Sequence, residues 1–390
     1  MTADLLQSSQ CRGCARQVEI MLPANAAIAS AACAGCGATV YASHYQRIDI
    51  GLSEVCNLSC NMCRRPQEKA FLDFGVISRM LQDASAIGVG TVSFSGGEPF
   101  VHPRFRDILR LALAHDFDVE LVTNGTLVRA DDAALLRQLK CITVSIDGPR
   151  DIHDHIRGMV GAWDKSMATL ALLNRIGAKW GTNTVIQGMN AHALLDTWHA
   201  IHAAGHPAYI GFTHVEVVPE TRHLQPDAED AGQAKRQLAT IRAECAAAKV
   251  HFNDDAIMTG MYDVFSDKTK RYRPPGGCRI PQLFLGISSH GIYPCWHQGR
   301  ALPGESLIAA LESDLCRDIV AEARGSRCIG CNAANYSWSD EWVAGIFAAS
   351  TRDSWSDGVV YLAETERRAG HLTRGKRTLP LLERQKRGNA

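Results

Sequence analysis

Ile48-Asp49-Ile50-Gly51-Leu52-Ser53-Glu54-Val55-Cys56-Asn57-Leu58-Ser59-Cys60-Asn61-Met62-Cys63 passes from a strand-like run, Ile48 to Leu52, directly into three cysteines. C-x3-C-x2-C with no fourth cysteine nearby, in a chain without marks of secretion, suits an iron-sulfur cluster held by only three thiolates. One iron of such a cluster stays open. Beside a reducing electron source an open iron can bind a ligand and break it, whereas a fully ligated cluster only passes electrons.

Outward from this stretch, residues 46 to 215 alternate apolar strands with amphipathic helices. The pattern predicts strands at 46–52, 89–94, 118–123, 141–146, 180–187 and 208–215. Helices are expected at 75–88, 103–115, 131–139, 163–176 and 191–204. Short apolar strands separated by helices imply a parallel sheet covered by helices, with ligands at the carboxyl ends of the strands. Six units are too few for a complete eight-unit barrel.

The second strand is followed by Ser95-Gly96-Gly97-Glu98-Pro99. Two glycines let a backbone approach a ligand closely, and a carboxylate can take up an ammonium group. Together with the three cysteines, in this order and each after a strand, the stretch resembles the signature of the radical S-adenosylmethionine (SAM) enzymes. That resemblance implies an α/β fold, a partial (β/α)6 TIM-like barrel, spanning residues 46–250. It also implies that Cys56, Cys60 and Cys63 hold a 4Fe-4S cluster whose open iron takes SAM, and that Gly96, Gly97, Glu98 and Pro99 meet the amino end of SAM. Ser145 and Arg157 are implied to hold its carboxylate, and Arg157 has its own reason, since a guanidinium pairs bidentately with a carboxylate. Asn190 is implied to reach the ribose, with a structural loop asparagine as the alternative, and Met62, where relatives often carry an aromatic residue, to pack on adenine. Asn124 joins the SAM-binding set, although Asn124-Gly125, like Asp147-Gly148-Pro149, is also an ordinary turn sequence.

The chain has 390 residues, 46% hydrophobic and 21% charged, with no net charge, so no global field favours nucleic acid or membrane. No apolar stretch has the length of a membrane span, and the amino terminus does not read as a secretory signal, which points to the cytoplasm. Fourteen cysteines in such a chain speak for metals over disulfides.

Four of them, Cys11-x2-Cys14 and Cys33-x2-Cys36, form two knuckles separated by eighteen residues. Four thiolates on two tight turns satisfy tetrahedral zinc, and rubredoxin-like iron is the alternative. Residues 1–45 are therefore expected to form a zinc ribbon whose metal supplies the core so short a segment lacks. Farther on, Cys278, Cys295, Cys328 and Cys331 resemble the twitch form of the SPASM-type carboxy-terminal extension, over residues 251–340. This implies one auxiliary 4Fe-4S cluster and two clusters in all, with a structural zinc site as the alternative and Cys316 as a possible substitute ligand. Cys141 and Cys245 read as small buried hydrophobes. Residues 341–390 are expected to form an extension ending in a basic tail, Arg367 to Arg387, which reads as solvated, with an anionic-partner site as the alternative.

The resemblance implies an enzyme that, reduced by flavodoxin or ferredoxin, cleaves SAM to a 5′-deoxyadenosyl radical and abstracts hydrogen from its substrate. The chain lacks room for the amino-terminal peptide-recognition domain of many relatives, which favours a small-molecule or natural-product substrate, with net oxidation through the auxiliary cluster. The alternatives are methylation, carbon–carbon coupling or epimerisation of a peptide, lipid or pterin, and a non-catalytic metal-binding protein. Glu216, ending the sixth strand, is the candidate general base, with a surface carboxylate as the alternative. Nothing in the sequence sets the oligomeric state.

Overall fold

The computed structural model describes residues 5–23, 26–64, 70–253, 255–267, 278–295 and 299–325. Cys328, Cys331 and the carboxy-terminal extension lie outside the described residues. Two hairpins come first. β1 (Leu5–Gln10) pairs antiparallel with β2 (Gln17–Leu22), and β3 (Ile28–Ala32) pairs with β4 (Thr39–Ser43). Each hairpin carries one cysteine knuckle in its turn.

The chain then enters a βα series: β5 (Arg47–Gly51), α1 (Phe74–Ala86), β6 (Thr91–Ser95), α2 (Phe105–Ala114), β7 (Asp118–Thr123), α3 (Ala133–Leu136) and β8 (Cys141–Ser145). α4 (Arg150–Arg157), α5 (Ala162–Arg175), β9 (Trp180–Ile186), α6 (Leu194–Ala204), β10 (Tyr209–His214) and α7 (Ala228–Ala248) complete it. After these come β11 (His251–Phe252), α8 (Asp255–Ser266), α9 (Ile280–Leu283), β12 (Phe284–Ser288), β13 (Gly291–Tyr293), α10 (Leu307–Leu311) and α11 (Asp314–Arg324).

β5 to β10 lie side by side in sequence order, all parallel, as the alternation predicts. The sheet is wider than six strands. β11 extends it beyond β10, while β12 joins β5 in parallel and carries β13 on its outer edge. The sheet thus crosses the boundary expected at residue 250.

Strand alternation sets the layers. Ile48 and Ile50 of β5, Val92 and Phe94 of β6 and Ile142 and Val144 of β8 point to the helices and belong to one continuous core. The intervening residues face the concave side. There Arg47 is ion-paired with Asp49 at 2.8 Å and with Glu120 at 2.5 Å, and Asn183 donates to Thr213 at 3.4 Å. Gly51, Ser93, Ser95 and Ser145 keep that side roomy, in contrast to a barrel packed with branched residues.

Candidate functional site

At the carboxyl ends of β5 to β8 lies a cavity of about 230 Å³ lined by Cys56, Cys60, Cys63 and Met62 together with Gly96, Gly97, Asn124, Ser145 and Arg157. Residues separated by a hundred positions converge because the parallel sheet places every strand-end loop at one edge. Burial pushes the Cys56 and Cys60 thiols up, while the Arg157 guanidinium draws Cys60 back. Ligation needs their thiolates, so a bound cation would have to supply the charge stabilisation that burial withholds.

The cysteine loop is gripped from two sides. Behind it, Gly97 N–H donates to Ser53 O at 2.6 Å and Glu98 N–H to Val55 O at 3.0 Å. A Cβ at Gly97 would sit 2.0 Å from Val55 O, and one at Gly96, where φ is +131°, 2.7 Å from Ser53 O. The glycines expected to approach a ligand thus also admit the backbone of the cysteine loop. On the other side α4 ends against it: Asn61 N–H donates to Ile156 O at 2.9 Å, and a Cβ on Gly158 would meet Ser59 O at 2.4 Å. Gly158 closes α4 with φ +67°, a left-handed turn open to glycine.

Arg157, also from α4, is ion-paired with Asp147 at 2.6 Å and donates to Cys60 Sγ at 3.8 Å. Asp147 is fully buried and accepts from Val185 N–H at 2.9 Å, while its own N–H donates to His153 Nδ1 at 3.1 Å. Asn124 both closes a turn, accepting from Thr126 N–H at 2.8 Å, and places its amide 3.9 Å from Cys56 Sγ. Its two readings are therefore compatible.

Two further residues of the expected set are held by hydrogen bonds within the protein. Glu98 is 1% exposed, and its carboxylate accepts from Thr123 Oγ1 at 2.7 Å, Asn124 N–H at 2.8 Å and Phe100 N–H at 3.2 Å. Burial raises its pKa, and these donors draw it back. It ties the Gly-Gly loop to the end of β7, with Pro99 buried and opening the next short turn. Asn190 is fully buried, its side chain accepting from Gln187 N–H at 2.8 Å and donating to Asp147 O at 2.8 Å and Val185 O at 2.9 Å. These bonds fix the β9 loop and engage both amide hydrogens of Asn190.

Glu216 is half-exposed beyond β10 and ion-paired with Arg64 at 2.5 Å, next to Cys63. Sequence reasoning missed Glu54, a buried acid that lines the cavity and lies 4.0 Å from His290 in the β12–β13 turn. No motif marks it; its place just before Cys56 is the one available signal. Cys278 is buried and Cys295 half-buried. Cys316 is fully buried in the core, its Sγ 4.0 Å from the Tyr45 hydroxyl, and burial pushes its thiol to about 11, so its surroundings are those of a packed hydrophobe.

A parallel α/β sheet with three loop cysteines and a glycine-rich loop at its ligand edge defines the class, and residues 50–201 match the family model "Radical SAM superfamily". That match covers the stretch from β5 into α6, and the superfamily's members use SAM and a 4Fe-4S cluster. Its relatives are of the SPASM/twitch type. An AdoMet-dependent heme synthase of Methanosarcina barkeri is 29% identical over 63% of this chain and 74% of its own length. Mycofactocin maturase MftC of Mycobacterium ulcerans is 35% identical over 33% of this chain and 35% of its own. The chain thus spans most of the first relative and about a third of the second. In fold it is similar to Streptococcus suis SuiB, at TM-score 0.58 and 17% identity over 82% of this chain and 78% of that one. Against anSMEcpe with bound AdoMet the TM-score is 0.59 at 17% identity, over 82% of this chain and 98% of that one.

Proposed function

We propose that this chain cleaves SAM reductively at a cluster held by Cys56, Cys60 and Cys63 and directs the resulting radical chemistry at a compact polar substrate. The observation that carries this reading is the convergence of three thiols, Asn124, Ser145 and Arg157 on one cavity. The donor set fits: three cysteines face the cavity, and among the described residues no fourth lines it. Bound there, the cluster and SAM would supply a 5′-deoxyadenosyl radical able to take hydrogen from an unactivated carbon, with flavodoxin or ferredoxin giving the electron. Arg157 and Ser145 would hold the SAM carboxylate, and Met62 would cover adenine.

The concave face beneath this cavity argues for the substrate class. Arg47, ion-paired with Asp49 and Glu120, and Asn183 make this lining polar, and Gly51, Ser93, Ser95 and Ser145 are small. A small molecule with amine or hydroxyl groups fits such a lining, whereas an apolar one would desolvate it without return. A peptide presenting a polar side chain is the second reading, favoured by the relative named as an antilisterial bacteriocin subtilosin biosynthesis protein, AlbA of Bacillus subtilis, 32% identical over 32% of this chain. The auxiliary cluster, with Cys278, Cys295, Cys328 and Cys331 as ligands, rests on the sequence spacing and would accept an electron if the net reaction is an oxidation.

Anaerobically reconstituted protein given dithionite and SAM is expected to yield 5′-deoxyadenosine, and the triple Cys56→Ala, Cys60→Ala, Cys63→Ala variant none. Equal yield from both would remove the central assignment.

A further inference from the structure

The amino-terminal cysteines take no part in the cavity, yet they are the one group of metal-ligating side chains gathered tightly among the described residues: the Sγ atoms of Cys11, Cys14, Cys33 and Cys36 all lie within 4.8 Å of one another. Cys11 and Cys36 are 3.4 Å apart, as are Cys14 and Cys33. A tetrahedral zinc with bonds of about 2.3 Å needs sulfur–sulfur edges of about 3.8 Å, so small adjustments suffice.

The knuckles repeat each other. Ala15 N–H donates to Cys11 O as Gly37 N–H donates to Cys33 O, and Cys11 N–H meets Arg16 O as Cys33 N–H meets Ala38 O. Ala15 and Gly37, in matching positions, both have positive φ, +60° and +74°. Two like turns thus present four sulfurs to one point. Around them the core of this unit is Cys11, Ile20, Cys33, Val40 and Ala42, of which two are the thiols themselves. Without an ion that core is too small to hold the hairpins together.

The unit is wedged between two parts of the molecule. Toward the barrel, Arg12 donates to Ser85 Oγ at 2.6 Å and Ser43 Oγ to Ile87 O at 2.8 Å. Toward the carboxy-terminal segment, the Tyr45 hydroxyl donates to Pro281 O at 2.7 Å and Gln282 Nε2 to Ala26 O at 3.1 Å. Pro281 and Gln282 belong to α9, which lies between Cys278 and β12 and so precedes Cys295. The contacts with Ser85 and Ile87 lie where α1 returns toward the start of β6, at the amino ends of the strands. The cysteine cavity lies at the other end, beyond a five-residue β5 that alone measures about 17 Å.

The geometry points to a structural zinc ion, held by Cys11, Cys14, Cys33 and Cys36, that straps the segment from Cys278 to Cys295 onto the barrel. A closed set of four thiolates has no open position for a substrate, and its place at the strand amino ends is one of stability. The inference stands independently of the SAM reading.

The full-length protein and its Cys14→Ser, Cys36→Ser double variant can be compared by plasma mass spectrometry and amide hydrogen exchange. One zinc per chain is expected in the first and none in the second, with exchange over Phe284 to Tyr293 at least tenfold faster and β6 to β8 unchanged. Cys36→His, which keeps four ligands, is expected to retain both zinc and protection. Zinc kept by the double variant, iron in its place, zinc lost without faster exchange at β12 and β13, or equal acceleration across β6 to β8 would each overturn it.

Discussion

The amino-terminal tetrad and the Cys56, Cys60, Cys63 loop are assembled in opposite ways. In the first, each pair of thiols is set by its own hairpin turn, and Gly35 faces only side-chain atoms, with Arg16 Cδ 2.6 Å from a hypothetical Cβ. In the second, the loop has little structure of its own and takes its shape from the backbone of the Gly96-Gly97 turn and the end of α4. Local geometry is robust to distant change, whereas a loop moulded by its neighbours fails when any neighbour moves. The difference suits the roles: a closed site needs four fixed ligands, while a loop open on one side must have its shape imposed from outside.

Matched glycine substitutions offer the sharpest way to break this comparison. Gly97→Ala drives a methyl into Val55 O, a backbone atom that cannot yield without moving the cysteine loop. Iron retention and 5′-deoxyadenosine yield should fall at least about a hundredfold, more than about 2.7 kcal/mol, with zinc content unchanged. Gly35→Ala asks only the flexible Arg16 side chain to move, and should cost under about 1 kcal/mol with zinc retained. Comparable damage from both would show that the two cysteine sets are not built differently.

The same contrast explains what the sequence disclosed. β7 runs from Asp118 to Thr123, as the pattern predicts, and the other barrel strands agree within two residues at either end, because Val, Ile and Phe alternate on short runs. The knuckle cysteines were legible because their spacing is local. The hydrogen-bond partners of Glu98 and Asn190 were not, since both depend on backbone groups brought by distant strands. α4 escaped notice as a helix because it is short and polar, with Arg150, Asp151, His153, Asp154 and His155 along it. β12 forms a local antiparallel hairpin with β13, but its parallel pairing with β5 is a contact across more than two hundred residues that no local pattern encodes.

Arg157 tests whether α4 holds the loop by charge as well as by shape. Arg157→Ala would leave Asp147 buried without its cation, at a cost of about 3–5 kcal/mol, and would release Cys60. Arg157→Lys keeps the charge but not the planar fork that reaches both partners, so it should recover most of the stability and little of the SAM cleavage. Thermal unfolding and 5′-deoxyadenosine yield measured on both variants separate the two contributions. If lysine restores both, the charge alone matters.

The smallest expected effect concerns pH, and it bears on both regions together. His153, behind the cysteine loop, and His44, at the junction of the amino-terminal hairpins with the barrel, are each held neutral by burial down to about 4. His153 accepts from Asp147 N–H through Nδ1, which leaves Nε2 carrying the proton, buried and without a partner among the described residues. In the unfolded chain a histidine takes up its proton near pH 6.5. Between that pH and about 4 the unfolded state binds more protons, so the stability contributed by each neutral histidine is fully present above pH 6.5 and is lost as pH falls. At pH 5 the loss from His153 amounts to about 2 kcal/mol, set by the unfolded pKa alone because the folded one lies below that pH. His153→Asn keeps an acceptor for Asp147 N–H but cannot take the proton. Denaturant unfolding at pH 7.5 and pH 5 should therefore show a pH-induced loss smaller by about 2 kcal/mol in the variant than in the parent. An unchanged difference would mean that the parent protonates His153 without unfolding, and that the wall behind Cys60 yields to a charge which its burial should refuse.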